Sequence, residues 1–247
     1  MRQDYPEHRI AVVGFPKFDR YAKHRGLLPR DVFLRELGLD PGRRTILYAG
    51  AGDQLAPYDE EILRDLLEAI AQGKAAVPVQ IIVRPHPKYL YRKEIIPSSS
   101  LWVYDRPNEK GGEAVENFEF EKEVEAHLMN SLAHCDLLIH SISTLGIEGA
   151  IFDRPMITLA FDGIKKLPAA LSTARYYQYT HIKRVMATGG MRRADNLDEL
   201  IRLTNDYLLH PEKDIEARKI MAREHAYTID GKAGERIAAF LLSRMEA

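Results

Sequence analysis

Short apolar runs alternate with longer amphipathic stretches along most of this chain, and this alternation limits the folds open to it. Most runs are continuously apolar, as in strands buried on both faces of a parallel sheet. Strands that alternate with helices give a sheet covered by helices on both faces. We therefore predict a doubly wound, Rossmann-like α/β fold with about six parallel strands. The candidate strands are 9–14, 45–49, 79–84, 101–104, 136–140 and 155–160, with 181–186 as a last candidate.

Apolar residues at helical spacing predict helices between these runs. The segments concerned are 59–72 and 123–133, a third over 197–208 that begins at Asp195 or Asn196, and a terminal helix after Gly234. Two stretches are predicted to be long loops. The first, 107–121, is polar and contains two adjacent glycines, which is typical of a surface connection. The second, 163–179, follows a strand at its carboxyl end, where such folds bind ligands.

Composition excludes several classes of protein. The 247 residues carry a formal net charge of −1, so no global attraction to nucleic acid is expected. The single cysteine, Cys135, cannot form a disulfide within the chain, which fits a reducing compartment. No apolar run approaches the roughly 20 residues of a membrane span, and the first residues contain no apolar signal core. These features predict a cytoplasmic protein, or one that associates with a membrane through a partner or a missing domain.

A hydroxyl-rich segment follows the buried run 136–140 and leads into a predicted helix. Free amides at a helix start bind anions, and Ser141, Ser143 and Thr144 would add hydroxyl donors. Glu148, about one turn further on, could accept hydrogen bonds from a pair of ribose hydroxyls. The alternative is an ordinary helix cap. Because no Ser or Thr stands three residues before Glu148, this glutamate is not part of a capping box.

Three potentially cationic side chains lie together at the end of the run 79–84, in Arg84-Pro-His-Pro-Lys88. The prolines stop the strand and stiffen the turn. Arg84, His86 and Lys88 would then surround one point, which suits a phosphate or diphosphate. The alternative interpretation is a polar turn with a solvated histidine.

A glycine-rich turn, Tyr48-Ala-Gly-Ala-Gly-Asp53, follows the run 45–49. Glycines such as Gly50 and Gly52 allow a backbone to approach a ligand closely. The turn lacks the complete dinucleotide fingerprint and is not a P-loop, so it could equally be a tight turn without a ligand.

Metal and nucleophile chemistry are not indicated. His134, Cys135, Asp136 and His140 are close in sequence, but alternation along a strand would point their side chains in different directions. There is no Gly-x-Ser-x-Gly elbow. We predict that the chain uses no metal and no cofactor, and the residues identify no catalytic group.

Taken together, four segments resemble the C-terminal half of two-domain GT-B transferases, and most closely the CDP-glycerol glycerophosphotransferase group. The resemblance covers most of the chain. The segments are Val13-Gly-Phe-Pro-Lys-Phe-Asp19, Arg84-Pro-His-Pro, Asp136-Leu-Leu-Ile-His-Ser-Ile-Ser-Thr with Glu148 and 153–157 after it, and Asp230-Gly-Lys-Ala-Gly-Glu-Arg-Ile237. Two features depart from that group: His140-Ser-Ile-Ser replaces its Asp-Tyr-Ser-Ser form, and Gly234 stands where serine is more usual.

The resemblance implies a donor domain without its acceptor domain. Residues 1–30 would be the interdomain entry segment and 31–247 the nucleotide-donor-binding domain. His86, Ser143 and Thr144 would contact the donor diphosphate, and Glu148 the ribose. A missing N-terminal domain or a separate subunit would complete the site. The face left exposed by that domain would carry a sizeable apolar or semi-polar patch near Phe15, Phe18 and Tyr21.

The expected function is donor binding in glycosyl or polyol-phosphate transfer for surface or capsular polysaccharide synthesis. The donor would be a nucleotide-activated sugar or polyol, carried by CDP, CMP or UDP. Two alternatives remain open. One is an enzyme similar to UDP-N-acetylglucosamine 2-epimerase, and the other is a non-catalytic subunit that binds a nucleotide sugar.

Overall fold

A six-stranded, all-parallel sheet forms the centre of the computed structural model, which describes residues 6–23, 26–86, 92–105, 122–141 and 143–245. The strand order is β3-β2-β1-β4-β5-β6, so the chain moves outward from β1 to β3 and then returns to place β4 on the other side of β1. This reversal between β1 and β4 is the topological switch point of a doubly wound fold. The predicted fold class is confirmed. The strands are β1 (Arg44–Ala49), β2 (Val79–Arg84), β3 (Trp102–Tyr104), β4 (Leu137–His140), β5 (Met156–Leu159) and β6 (Arg192–Ala194).

Helices connect and cover the strands. Within the described ranges the α-helices are α1 (Phe18–Ala22), α2 (Arg30–Glu36), α3 (Asp59–Ala71), α4 (Lys122–His134), α5 (Leu145–Ile151), α6 (Thr180–Ala187), α7 (Leu197–Leu209), α8 (Ile215–Ala226) and α9 (Ala233–Met245). Short 3-10 helices cover Glu7–Arg9, Lys93–Ile95 and Thr173–Gln178.

The core lies in two layers, one on each face of the sheet. On one face, alternate strand residues such as Ile46 and Ile139 pack against the apolar stripes of α3 and α7. On the other face, Leu47 and Leu138 pack against α2, α4, α5 and α8. Successive strand residues point to opposite faces, so each central strand must be apolar at nearly every position to fill both layers. This requirement explains the continuous apolar runs in the sequence.

Five of the predicted strands match β1 to β5 within a residue or two, but the prediction for 9–14 is wrong. Residues 10–15 form no regular structure and follow a 3-10 turn. Ile10 and Val12 are 56% and 68% exposed. A β-rich run becomes a strand only where a neighbouring strand pairs with it, and this segment lies away from the sheet, with Gly14 facing Ala233 at the start of α9.

The prediction of a strand over 181–186 is also wrong, because this segment lies in α6. Its apolar residues recur at helical spacing, and Val185 and Met186 pack against the second core layer. The sixth strand is β6 instead, which the search for apolar runs missed because it begins with two arginines. Charged side chains are common on edge strands, where they discourage pairing with other chains.

The predicted helices over 59–72, 123–133 and 197–208 and the terminal helix are confirmed as α3, α4, α7 and α9. Asn196 is the N-cap of α7, and its side chain accepts a hydrogen bond from the Glu199 amide. The loop predicted over 107–121 lies outside the described residues. The loop over 163–179 contains the 3-10 helix Thr173–Gln178.

The segment before α2 is attached to the end of the chain through Asp19. Its two carboxylate oxygens accept hydrogen bonds from the amides of Ala233 and Gly234, both at 2.9 Å, and so cap the start of α9. The predicted apolar patch is wrong for two of its three residues. Phe18 and Tyr21 are buried, at 7% and 3% exposure, whereas Phe15 is 55% exposed.

Candidate functional site

The candidate site lies at the carboxyl edge of the sheet, beside the switch point. The strand register places Ala49 of β1 level with Arg84 of β2 on one side and with His140 of β4 on the other. The segments that leave these three strands therefore begin at neighbouring points. They are the segments that the sequence singled out, and doubly wound folds bind ligands at this position.

At the end of β2, Arg84 is fixed by a carboxylate. Its Nη1 donates to Asp105 Oδ2 at 2.9 Å, and His127 Nε2 lies 2.7 Å from Asp105 Oδ1. Burial disfavours ionisation of Asp105, but the hydrogen bond from His127 and the charge of Arg84 outweigh it and hold the Asp105 pKa below its usual value. His86 is half-buried two residues further on. Lys88 lies outside the described residues.

At the end of β4, Ser141 is buried and its hydroxyl donates to Asp59 Oδ1. Asp59 is 1% exposed, and its other carboxylate oxygen accepts a hydrogen bond of 2.5 Å from the Ala51 amide. One carboxyl group thus joins the turn after β1 to the turn after β4, across the switch point. The Ser141 hydroxyl donates its proton to a buried carboxyl group, so this side chain stabilises the turns at the carboxyl edge of the sheet.

Ser143 and Thr144 are exposed at the start of α5. Ser143 Oγ accepts a hydrogen bond of 3.1 Å from the Leu145 amide, and Thr144, the N-cap residue, makes no capping bond with its side chain. Both side chains are therefore accessible to solvent at the rim of the edge. The prediction that they contact a phosphate remains a prediction.

Glu148 lies one turn into α5 and is 6% exposed. Its Oε1 lies 2.7 Å from Lys17 Nζ, and its Oε2 accepts a hydrogen bond from the Tyr21 hydroxyl. Burial, and then the Glu148 charge, raise the Tyr21 pKa well above its ordinary value. Tyr21 therefore stays a hydrogen-bond donor to the Glu148 carboxyl group. A carboxylate has about four lone-pair sites, so two remain for a further pair of donors such as ribose hydroxyls.

The turn after β1 is compact. Gly50 and Gly52 are both buried. Gly52 has φ of +79°, a backbone conformation that disfavours residues with a Cβ atom, and its carbonyl accepts hydrogen bonds from the Leu55 and Ala56 amides. These contacts are those of a tight turn. A ligand contact for the two glycines remains a prediction.

His140, which distinguishes this chain from the family pattern, is buried and neutral. Its Nδ1 lies 2.7 Å from the Ser141 carbonyl oxygen, and burial lowers the His140 pKa to about 4. A Cβ atom on Gly146 would lie 3.0 Å from His140 Nε2, so a glycine lets α5 pack closely over the ring. His140 thus sets how α5 sits on the sheet.

Sequence reasoning missed five residues of the site, namely Lys17, Tyr21, Asp59, Asp105 and His127. Lys17 and Tyr21 reach Glu148 from 131 and 127 positions away. Lys17 lies in the first family-like segment, which was a usable signal. Asp59 begins the helix α3, which was predicted from its apolar stripe, and no sequence signal marked this aspartate as buried.

Among the described residues, no group of three or more His, Cys, Asp or Glu side chains could hold a metal ion. None of the helices in these ranges is long and apolar enough to cross a membrane.

Comparison with known proteins defines the class of protein to which this fold and site belong. The model of the family described as CDP-glycerol:poly(glycerophosphate) glycerophosphotransferase matches residues 3–243. The chain belongs to this family. No curated protein sequence matches it significantly.

Solved structures show the same fold at low sequence identity. The wall teichoic acid polymerase TagF is 16% identical with a TM-score of 0.59, over 98% of this chain and 54% of that one. A UDP-N-acetylglucosamine 2-epimerase described as putative, from Listeria monocytogenes, is 17% identical with a TM-score of 0.57, over 99% and 56%. The epimerase of Methanocaldococcus jannaschii, in complex with UDP-GlcNAc and UDP, is 18% identical with a TM-score of 0.52, over 98% and 57%. The chain spans about half the length of these structures.

Proposed function

We propose that this chain is the donor-binding part of a transferase that uses CDP-glycerol or a related nucleotide-activated polyol or sugar to build a surface polymer. The observation that carries the proposal is the convergence, at one edge of the sheet, of the segments after β2 and β4. The family points to a CDP-linked donor. One of the TagF structures was obtained after a soak with CDPG, which fits a donor of this kind in the family.

Each part of such a donor has a group at this edge to recognise it. The diphosphate would lie between His86 and the exposed start of α5, with Ser143 and Thr144 as hydroxyl donors. The ribose would lie against Glu148, which already accepts from two partners and can accept from two more. Arg84 is already paired with Asp105. It would therefore stabilise the diphosphate through its electrostatic field more than through a direct hydrogen bond.

The reaction would be a displacement at the phosphorus that carries the glycerol. An acceptor hydroxyl oxygen would bond to this phosphorus, while the bond from phosphorus to the oxygen bridging it to CMP would break. CMP would leave with that oxygen, and the hydroxyl proton would pass to a base outside this site. Negative charge grows on the leaving phosphate, so fixed donors such as His86 and the backbone amides near Ser143 would lower the barrier.

The two alternative functions are an epimerase and a non-catalytic nucleotide-binding subunit. The epimerase structures share the fold, and an epimerase would bind uridine nucleotides at the same edge of the sheet. A non-catalytic subunit would bind the donor and transfer nothing. The nucleotide preference separates the transferase from the epimerase, and turnover in the presence of an acceptor separates the transferase from the subunit.

The test is calorimetric titration of CDP, CMP, UDP and UMP into the wild type and into His86→Ala and Glu148→Gln. A charge-assisted hydrogen bond contributes roughly 1.5–3 kcal/mol, so each variant should weaken binding by about ten- to a hundredfold. Cytidine nucleotides should bind more tightly than uridine nucleotides. The matched controls are His210→Ala, just after α7, and Glu235→Gln, in α9. Both positions are exposed, so both variants should bind the nucleotides as the wild type does.

The outcomes separate the alternatives. Preference for UDP and UMP would favour the epimerase. A folded protein that binds none of the four nucleotides, or binds them equally well in all variants, would contradict a donor site at this edge. Glu148 also binds Lys17 and Tyr21, so its substitution could destabilise the fold. Circular dichroism and thermal melting of Glu148→Gln therefore serve to check that the variant is folded.

A further inference from the structure

A concave site opens at the opposite, amino edge of the sheet. It is a cavity of about 540 Å³ lined by residues that precede or begin β1, β2, β4 and β5. The six-residue strand β1 separates the two edges by roughly 20 Å at about 3.3 Å per residue. One donor molecule therefore cannot occupy both places, and this cavity has no role in the function proposed above.

Four guanidinium groups line this cavity: those of Arg30, Arg43, Arg44 and Arg154. Among the described lining residues the acidic one is Asp136, whose oxygens lie 2.8 Å and 2.9 Å from Arg30 and Arg44. The Thr45 amide also donates to Asp136, at 2.8 Å. The carboxylate is thus already surrounded by donors and offers little to a cation.

The remaining two arginines leave an excess of positive charge. Within the part of the chain that the structure describes, the Arg43 side chain has one acidic partner, Asp40, at 3.6 Å. Arg154 donates to the carbonyl oxygens of Phe152 and Cys135, at 2.6 Å and 3.1 Å, and to no carboxylate among the described residues. Four cationic groups therefore face two carboxylates, Asp40 and Asp136. Positive charge concentrated in a concave site attracts anions.

Several donors in the cavity have no hydrogen-bond partner within the described ranges. They are Nε and Nη2 of Arg44, Nη1 and Nη2 of Arg43, and Nη2 of Arg154. The side chains of Arg44 and Arg43 are 48% and 43% exposed, so their donors are open to a ligand. Arg30, by contrast, bonds to the backbone of His134 and of Arg43 and holds the rim in place.

We propose that this cavity, which we call the amino-edge pocket, binds a phosphoryl anion. Guanidinium groups match the oxygens of a phosphate in pairs, and three of them with unused donors converge here. None of the described residues that line the pocket is aromatic, so they offer no ring on which a nucleobase could stack. The ligand is therefore a phosphate monoester or free phosphate, or a phosphodiester unit of a polyol phosphate chain, rather than a nucleotide. The phosphoryl site stands on these arginines alone, whereas the choice of a polyol phosphate chain as one ligand rests on the function proposed for the other edge.

The test is an NMR titration of the isotope-labelled chain with two probes, inorganic phosphate and glycerophosphoglycerol. The amide of Gly42 reports on the amino-edge pocket, and the amides of Gly50 and Gly52 report on the other edge. At least one probe should shift the Gly42 signal in a saturable way. The double variant Arg43→Gln/Arg44→Gln should weaken that binding on the order of tenfold or more, because it removes two of the phosphate-matching groups.

Arg35→Gln is the matched control, since Arg35 is a solvent-exposed arginine of α2 paired with Asp31 and lies outside the pocket. It should bind both probes as the wild type does. Arg43→Gln alone keeps the test valid if the double variant does not fold. Binding of phosphate alone identifies a monoester ligand, and binding of the diester identifies a polyol phosphate chain. A Gly42 signal that neither probe shifts, or equal weakening by Arg35→Gln, overturns the proposal.

Discussion

Asp59 provides the sharpest test of the structure, because its carboxyl group is buried at the switch point. It accepts hydrogen bonds from Ser141 and from the Ala51 amide. Burial dominates these bonds and raises the Asp59 pKa from 3.8 to about 7, and the neighbouring charge of Glu60 adds to the effect. The folded state therefore prefers the protonated carboxyl, whereas the unfolded chain ionises near the ordinary pKa.

The raised pKa of Asp59 makes the folded state less stable at higher pH. Below pH 4 the carboxyl is protonated in both states and burial costs little. As the pH rises from about 4 to about 7, only the unfolded state loses its proton, so the free energy of unfolding falls. At 1.36 kcal/mol per pKa unit, the loss reaches about 4 kcal/mol and stays constant above pH 7. This is a large share of the 5–15 kcal/mol typical of a domain.

Asp59→Asn removes the titration and keeps the shape. Its amide oxygen can accept from the Ala51 amide while its NH₂ group donates to Ser141, whose hydroxyl can rotate. Urea unfolding at a series of pH values between 4 and 8 should show the variant gaining about 4 kcal/mol relative to the wild type as the pH rises. Taking the difference between the two proteins cancels the other titrating groups, including the buried His140.

Asp31→Asn is the control, because Asp31 is exposed on α2, with a side-chain exposure of 52%. Its difference from the wild type should stay small and constant over the same pH range. A difference for Asp59→Asn that changes by less than about 1 kcal/mol would refute the reasoning. Asp59 would then be solvated, and the turns after β1 and β4 would not be joined as described.

Three further substitutions test other contacts by urea unfolding. Asp19→Ala removes the acceptor for the first two amides of α9 and should lower the free energy of unfolding by about 1 kcal/mol, with Asp19→Asn losing less; equal stability would mean that α9 is not capped from the entry segment. Gly149→Ala places a Cβ atom 2.7 Å from the Met156 sulfur and should cost about 1–3 kcal/mol through overpacking; a neutral result would contradict the close contact of α5 with the sheet. Arg218→Met removes a 1% exposed guanidinium that pairs with Asp153 at 2.7 Å and should cost about 3 kcal/mol, whereas no loss would show that the pair is solvated.

The central strands could be predicted from the sequence because they must fill two core layers. A run such as 79–84 is apolar at nearly every position for this reason. The edge strand β6 was not predicted because it contains two arginines and no apolar run. These charges are tolerated because they are paired outside the strand: Arg192 donates to Asp206 and Asp214. The run 9–14 was misjudged in the opposite direction, since its apolar side chains have no partner strand to pair with.

The candidate site was only partly predictable. Sequence order placed Arg84, His86 and Glu148 after buried runs, and parallel strands then bring the ends of those runs to one edge. The partners of these residues were not predictable, because contacts such as Lys17 with Glu148 join positions 131 residues apart. Pattern rules describe neighbours along a helix or strand, and they contain no information on which distant side chain fills a particular space.

The four family-like segments divide into two structural roles. The first and the last meet through Asp19 at the start of α9, and Arg236 of the last segment also donates to the Val13 carbonyl oxygen at 3.4 Å. These contacts hold the two ends of the chain together. The segments after β2 and β4 lie instead at the candidate site. Lys17 connects the two roles, because it belongs to the first segment and yet binds Glu148 at the site. A change in how the entry segment packs would therefore alter the position of the carboxylate that is proposed to hold the ribose.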